Sequence, residues 1–338
     1  MEDRSKNIQG KIATSLVWKF LEQFGQQFMA IIVSMVLARL LNSNDYRPVT
    51  LINAIIAVAS VFVTSGFSTA LIQKSEVDDE DYSSAFYLCF GVAALAYIAL
   101  FFAAPFVADF YGIPSLTAML RVMTLTLFLG AVNSVQSAVI SRNMQFKKYF
   151  YSSLAGIIAS GTVGITMAYN GFGTWSLVAS NLTSTAVITL VLWFTVKWRP
   201  KLVFNVAKAK ALFNYGYKLL LSGLLDSLFN NIYPMIIDKM QSLNPAMASQ
   251  NDSMSAYYAK GKDQPNLIIN NINNAIQGVM FPAFSAVQQD RAELKKMAKR
   301  TITTSCFVIF PISIGLAAVA RPLILLMYTD TWAGAIPF

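Results

Sequence analysis

Hydrophobic residues run along this chain in long blocks separated by short polar stretches. That pattern specifies helices long enough to cross a bilayer, not strands that alternate every second residue. Nine such segments are predicted, at roughly 11–41, 49–72, 84–108, 115–140, 150–170, 174–198, 212–240, 265–288 and 301–328. The stretch Leu212–Met240 is the most unusual, because it is apolar enough to span yet carries Lys218, Asp226, Asn230, Asn231 and Pro234. Charged groups at bilayer depth are expensive and normally face a protein interior or a wet cavity. Asn214, Lys218, Ser222, Asp226 and Asn230 recur every four residues. At about 100° per residue, Lys218 to Asn230 winds through only about 120° of the helix surface. This helix is predicted to line something wet.

Two other segments carry polar faces. The first would be about 46 Å long if fully helical, more than the hydrocarbon core needs. Its Ser15, Lys19, Glu22, Gln23 and Gln26 fall within about 100° of arc. Either these residues line a cavity, a polarity that Gln26 and Gln27 continue inward, or they form an interfacial helix start with Lys19 and Glu22 as an ordinary i,i+3 pair. In the eighth segment Asn266, Asn270, Asn273, Asn274 and Gln277 share one face, as cavity lining or as hydrogen-bonding glue between helices. The candidate substrate-binding residues are therefore Lys19, Glu22, Gln26, Lys218, Asp226, Asn230, Asn270, Asn274 and Gln277.

Composition narrows the class. The 338 residues are 55% hydrophobic and 13% charged, with a mean hydropathy of +0.51, against about 25% charged in soluble domains. The expected fold class is thus an all-α integral membrane protein. The net charge of +9 does not point to nucleic acid, because the bases sit in short loops between apolar runs. With the N-terminus in the cytoplasm, 17 lysines and arginines fall in or beside cytoplasmic loops and seven on the opposite side, and this bias sets the orientation. No cleavable signal peptide is evident. Both cysteines, Cys89 and Cys306, lie inside apolar segments, so no disulfide framework is indicated. There is no histidine and no P-loop motif, and no catalytic residue, metal ligand or cofactor is assigned. Glu76–Asp81 is expected to be a solvated loop that supplies acidic residues to a helix N-terminus. Residues 171–175 are expected to form a Gly-punctuated turn with an interfacial Trp, 241–264 a longer exterior loop, and 289–300 a cytoplasmic loop.

An internal repeat is also visible. Ala103-Ala-Pro105 followed by Tyr111 matches Ala320-Arg-Pro322 followed by Tyr328, at an offset of 217. An offset of 199 lays Lys19 on Lys218, Gln27 on Asp226 and Arg39 on Asp238. An even number of segments separates the copies, so both have the same orientation, a parallel repeat of the kind transporters use. The expected organisation is a six-helix lobe over 1–198, a cytoplasmic linker at 199–211 and an incomplete three-helix lobe over 212–338. Partners of the fourth to sixth segments are then expected beyond Phe338.

The chain resembles the bacterial O-antigen and exopolysaccharide flippases, the polysaccharide exporter branch of the multidrug/oligosaccharidyl-lipid/polysaccharide superfamily. The resemblance rests on W-x3-E-Q-x-G-Q-Q with L-A-R-L-L (Trp18–Leu41), S-R-N-M-Q-F-K-K (Ser141–Lys148), Gly171–Leu177, Leu219–Tyr233 and the Asn-rich eighth segment through Phe281-Pro282. The chain departs from the family pattern at Arg47-Pro48, where glycine is usual, and in ending after a ninth segment. The resemblance implies two six-helix lobes around a central cavity in the bacterial inner membrane. It also implies movement of an undecaprenyl-pyrophosphate-linked oligosaccharide from the inner to the outer leaflet, by a gradient and not by ATP. Lys19 and Lys218 would attract phosphates, the amide faces would bind sugars, and Asp226 or Glu22 would couple the gradient. Expected partners are the lipid-linked oligosaccharide, membrane lipids, and a polysaccharide polymerase with its chain-length machinery. The rival readings are a multidrug antiporter or peptidoglycan-precursor flippase of the same superfamily, or a membrane-embedded glycan polymerase or glycosyltransferase.

Overall fold

The computed structural model describes residues 25–64, 67–74, 77–143, 145–244, 252–263, 265–267, 269–270 and 291–338. Among them every regular element is helical: α1 (Gly25–Leu40), α2 (Ser43–Thr64), α3 (Phe67–Gln73), α4 (Asp79–Tyr111), α5 (Leu116–Met123), α6 (Thr126–Arg142), α7 (Phe146–Tyr169), α8 (Thr174–Thr195), α9 (Val206–Leu243), α10 (254–263), α11 (Arg291–Tyr328) and a 3-10 turn, Asp330–Ala335. Seven stretches are long and apolar enough to cross a membrane, namely Ser43–Ile72, Asp79–Tyr111, Leu116–Arg142, Phe146–Tyr169, Thr174–Thr195, Gly216–Leu243 and Ala292–Tyr328. They correspond to the second to seventh and the ninth predicted segments. The first is described only as the shorter apolar helix α1, and most of the eighth lies outside the described residues. The protein is a multi-pass, all-helical membrane protein.

Packing divides the chain into Met1–Ser253 and Met254–Phe338. In the first unit, α7 and α8 form the most extensive helix pair. Lipid offers no hydrophobic drive for helix association, so close backbone approach over small residues must supply it. Gly156, Ser160, Gly164 and Ala168 are buried at four-residue spacing on α7. A Cβ on Gly156 would stand 2.6 Å from Ile188 and 3.0 Å from the Ser184 carbonyl oxygen. The Ser180 hydroxyl donates to the Ser160 carbonyl at 3.1 Å across this interface. The core continues through α2, α3, α4 and α6, where Val63, Phe67, Leu71, Ala85, Cys89, Ala93, Leu127 and Val135 are buried together with Leu212 of α9.

Helix α9 packs along α2, α3 and α4. Its buried positions are Ala209, Leu212 and Gly216 near one end and Pro234, Asp238 and Gln241 near the other, with none from 217 to 233. At the first of these ends lie Lys74, Arg142, Arg199, Lys201 and Lys208, and we call it the basic end. Main-chain amides of Lys201 and Asn205 donate to the buried hydroxyls of Ser83 and Ser84, both at 3.0 Å. The Asn205 side chain caps α9. Arg142 donates to the carbonyls of Leu71, Ile72 and Lys74, closing the end of α3.

The acidic loop does more than supply a helix dipole. Asp78 and Asp81 form a capping box on α4, but Asp81 is buried and paired with Lys74 at 2.6 Å. Lys208 bridges Asp78 at 2.5 Å and Glu80 at 3.0 Å, and Lys201 meets Asp79 at 2.6 Å. The hydrogen bond from Lys208 holds the Asp78 carboxyl down to about 2. The expected solvated loop is therefore a clamp on the 199–211 segment. Sequence could not show this, because the partners lie 130 residues apart.

At the other end of the unit, Asn42 and Asp45 exchange main-chain-to-side-chain bonds at 3.1 Å. The turn before Arg47-Pro48 is therefore intact, and Pro48 lies within α2. Arg47 forks onto Asp238 at 2.6 and 2.9 Å, with the Asp238 side chain fully buried. Gly171 and Gly173 both take positive φ in the α7–α8 turn, as the Gly-rich reading predicts.

Beyond shifts of up to six residues at helix ends, as at the starts of α2, α4 and α9, three predicted elements differ. Residues 115–140 bend at Thr124–Leu125 between α5 and α6, where the Thr124 hydroxyl bonds back to the Leu120 carbonyl at 2.6 Å. Such i−4 back-bonding bends helices without proline. Residues 291–300, expected as loop, are the first turns of α11, since RAELKKMAKR is made of strong helix formers. Residues 254–263 of the expected exterior loop are helical. Within the second unit that helix is held by tertiary packing: the Tyr257 hydroxyl donates to the Thr331 carbonyl at 3.0 Å, and the Tyr257 ring meets Trp332 edge-on at 5.9 Å.

The repeat has a local counterpart in each unit. Tyr111 ends α4 and Tyr328 ends α11, both buried. The next residue, Gly112 or Thr329, takes a positive φ of 66° or 97°, and each helix holds its repeat proline, Pro105 or Pro322, six residues before its end. A β-branched threonine at such a φ is a genuine backbone outlier.

Candidate functional site

Helix α9 positions three of the sequence-predicted residues. Lys218, Asp226 and Asn230 are all exposed, as are Asn214 and Ser222 of the same stripe. Counting about 100° per residue from the packed positions, Lys218 and Ser222 lie opposite the face that meets α2 and α4, and Asn230 approaches its edge. The stripe therefore runs along the central part of α9 that its own unit leaves uncovered. The Asn230 amide donates to the Asp226 carbonyl at 2.9 Å and to its carboxylate at 3.1 Å. Lys218 Nζ lies 5.9 Å from the Tyr217 ring centroid. This arrangement presents one ammonium, one carboxylate and hydrogen-bonding amides along a helix of bilayer length. It suits an anionic, hydroxyl-rich molecule better than a purely apolar one. Asp226 is exposed and stands beside the packed face, about 80° round the helix from its centre.

Gln26 is placed elsewhere. It lines a cavity of about 360 Å³ with Ser137, Ile140, Ser141, Phe146, Tyr149, Ser153 and Ile188, drawn from α1, α6, α7 and α8. None of the described lining residues belongs to α9, so among the described residues Gln26 does not join the stripe. Asn270 is exposed in the second unit. Lys19, Glu22, Asn274 and Gln277 lie outside the described residues.

The cavity serines and Tyr149 escaped the sequence reading. Ser137 with Ser141, and Tyr149 with Ser153, are spaced i,i+4 and so share faces, but neutral hydroxyls in apolar helices carry little signal singly. Arg47 with Asp238, and Lys208 with the acidic loop, were also missed, being long-range pairs.

Comparison with known proteins agrees with this fold. The family described as "Polysaccharide biosynthesis protein" matches residues 36–337. The succinoglycan biosynthesis transport protein ExoT of Rhizobium meliloti is 23% identical over 328 residues, 96% of this chain and 64% of that protein. The lipopolysaccharide biosynthesis protein WzxC of Escherichia coli is 20% identical over 311 residues, 91% of this chain and 61% of that protein. This chain thus spans less than two thirds of the length of either relative. An inward-facing multidrug resistance MATE family transporter of the MOP superfamily shares the fold with a TM-score of 0.67 at 15% identity, over 92% of this chain and 75% of that one. With the family match running through nearly all the described helices, the chain belongs to the polysaccharide biosynthesis protein family.

Proposed function

We propose that this chain is part of a flippase that moves an undecaprenyl-pyrophosphate-linked oligosaccharide from the inner to the outer leaflet of the bacterial cytoplasmic membrane. The observation that carries this reading is the exposed stripe of Lys218, Asp226 and Asn230 on a membrane-length helix. An ammonium there attracts pyrophosphate, and the amides hydrogen-bond sugars without demanding one sequence of them. Leaving such groups facing lipid would cost about 2.5–3.5 kcal/mol for each charge, so a polar substrate path is the economical role. Family membership supports the glycan, as do the names of the relatives, which concern succinoglycan and lipopolysaccharide biosynthesis. The likeness to a multidrug transporter supports the fold alone.

In this reading the protein is a gradient-driven transporter and not an enzyme, with its N-terminus and basic end in the cytoplasm. Lys19, Glu22, Asn270, Asn274 and Gln277 complete the path. Residues 1–198 form the first lobe, 199–211 the linker and 212–338 the beginning of the second. The polymerase and chain-length machinery act on the product outside.

Lys218→Ala and Asp226→Ala, introduced into the chromosomal gene, test the proposal. Surface polysaccharide should fall, with lipid-linked repeat units retained on the cytoplasmic leaflet and the protein still accumulating in the membrane. Leu224→Ala should be milder. Normal surface glycan in both variants, or a change confined to dye and drug accumulation, would overturn it.

A further inference from the structure

The space between α1, α6, α7 and α8 contains a feature the transport path above does not use. Ser153 is 1% exposed and lines this cavity, yet its hydroxyl has no hydrogen-bond partner among the described residues. A buried hydroxyl left unpaired is costly, and native bundles rarely leave one so without something to meet it. Gln26, Ser137, Ser141 and Tyr149 line the same cavity, together with Ile140, Phe146 and Ile188. None of the described lining residues is charged. The volume of about 360 Å³ falls at the lower end of small-molecule sites.

We propose that this cavity is a binding site for a single neutral sugar residue. Such a ring has hydroxyls around its edge and an apolar C–H face, and the lining offers both surfaces: hydroxyl and amide groups on α1, α6 and α7, with aromatic rings from Phe146 and Tyr149 beside them. The described lining residues offer a phosphate no charge to pair with, so they suit the glycan and not its anionic anchor. A cluster of waters would satisfy Ser153 but would not require the aromatic faces. Ser141 and Phe146 flank the turn that joins α6 to α7, so the cavity lies toward the basic end of the bundle. On the glycan-lipid reading, on which this inference rests, that is where the headgroup first enters.

The test uses the full chain in nanodiscs, with Cys89 and Cys306 replaced and Ser141→Cys as reporter. A neutral hexose disaccharide should slow maleimide labelling of the reporter several-fold, and inorganic pyrophosphate should not. Adding Ser153→Ala or Gln26→Ala should abolish most of that protection. The melting temperature of Ser153→Ala should not fall, because the change removes only an unpartnered group. Ser153→Leu, which fills the space, should abolish protection as well. Protection by pyrophosphate instead of sugar, protection that survives Ser153→Ala and Gln26→Ala, or none at all would overturn the proposal. Its failure is distinct from that of the stripe: Lys218→Ala and Asp226→Ala report on export without touching this cavity.

Discussion

Removing Arg47 should damage this protein more than a surface arginine would. Its guanidinium forks onto Asp238 at 2.6 and 2.9 Å; the arginine side chain is 27% exposed and the aspartate 0%. Breaking a buried pair by deleting one partner costs about 3–5 kcal/mol, because the remaining charge stays buried and uncompensated. Partial exposure of Arg47 lets water reach the carboxylate, so the lower end of that range, about 3 kcal/mol, is expected for Arg47→Met. Asp238→Asn should cost less, since an amide still accepts a hydrogen bond from the arginine. Replacing both, as Arg47→Met with Asp238→Leu, removes two desolvation penalties at once and should recover most of the loss. A double-mutant cycle in detergent, read by thermal unfolding of the purified protein, measures the coupling, expected at about 2 kcal/mol or more. The pair also joins the start of α2 to the far end of α9, so the single variants should raise protease sensitivity near 238–244. Additive effects, each below about 1 kcal/mol, would show that the contact is an ordinary surface ion pair and that α9 is held at this end by packing alone.

Two further outcomes follow from the basic end. Asp78 is depressed from 3.8 to about 2 by its bond from Lys208. Its folded value lies below its unfolded one, so the clamp is at full strength above pH 3.8 and is lost as pH falls toward about 2. Hydrogen exchange of residues 199–205 should accelerate in that window, and Lys208→Gln should remove the dependence; an unchanged profile would place the clamp elsewhere. If the basic end faces the cytoplasm, Leu202→Cys should react with an impermeant maleimide only after permeabilisation, whereas Ser242→Cys should react in intact spheroplasts. Both positions are exposed, unlike buried Ser253, and the reverse labelling would invert the topology.

Most of the helical order was legible in the sequence, because apolar blocks long enough to span a bilayer have few alternatives to helix. The start of α8 was readable in the Gly-punctuated turn at 171–175, where Gly173 precedes the helix. The stripe of α9 was readable too, since polar residues every four positions can lie only on one helical face. Periodicity tells which face of a helix is distinct, but not which helix meets it. For that reason the chain alone left open that α9 seats a neighbouring face on α2 and α4, that Arg47 reaches Asp238 across 191 positions, and that the acidic loop grips the linker lysines. The bend at Thr124 and the helix at 254–263 depend on a side-chain back-bond and on the Tyr257–Trp332 contact, neither of which follows from hydropathy. The cavity is the clearest case. Gln26, Ser137, Tyr149 and Ser153 are individually ordinary in a membrane helix, and only the convergence of four helices turns them into one polar chamber, because a cavity belongs to the packing and not to any single segment.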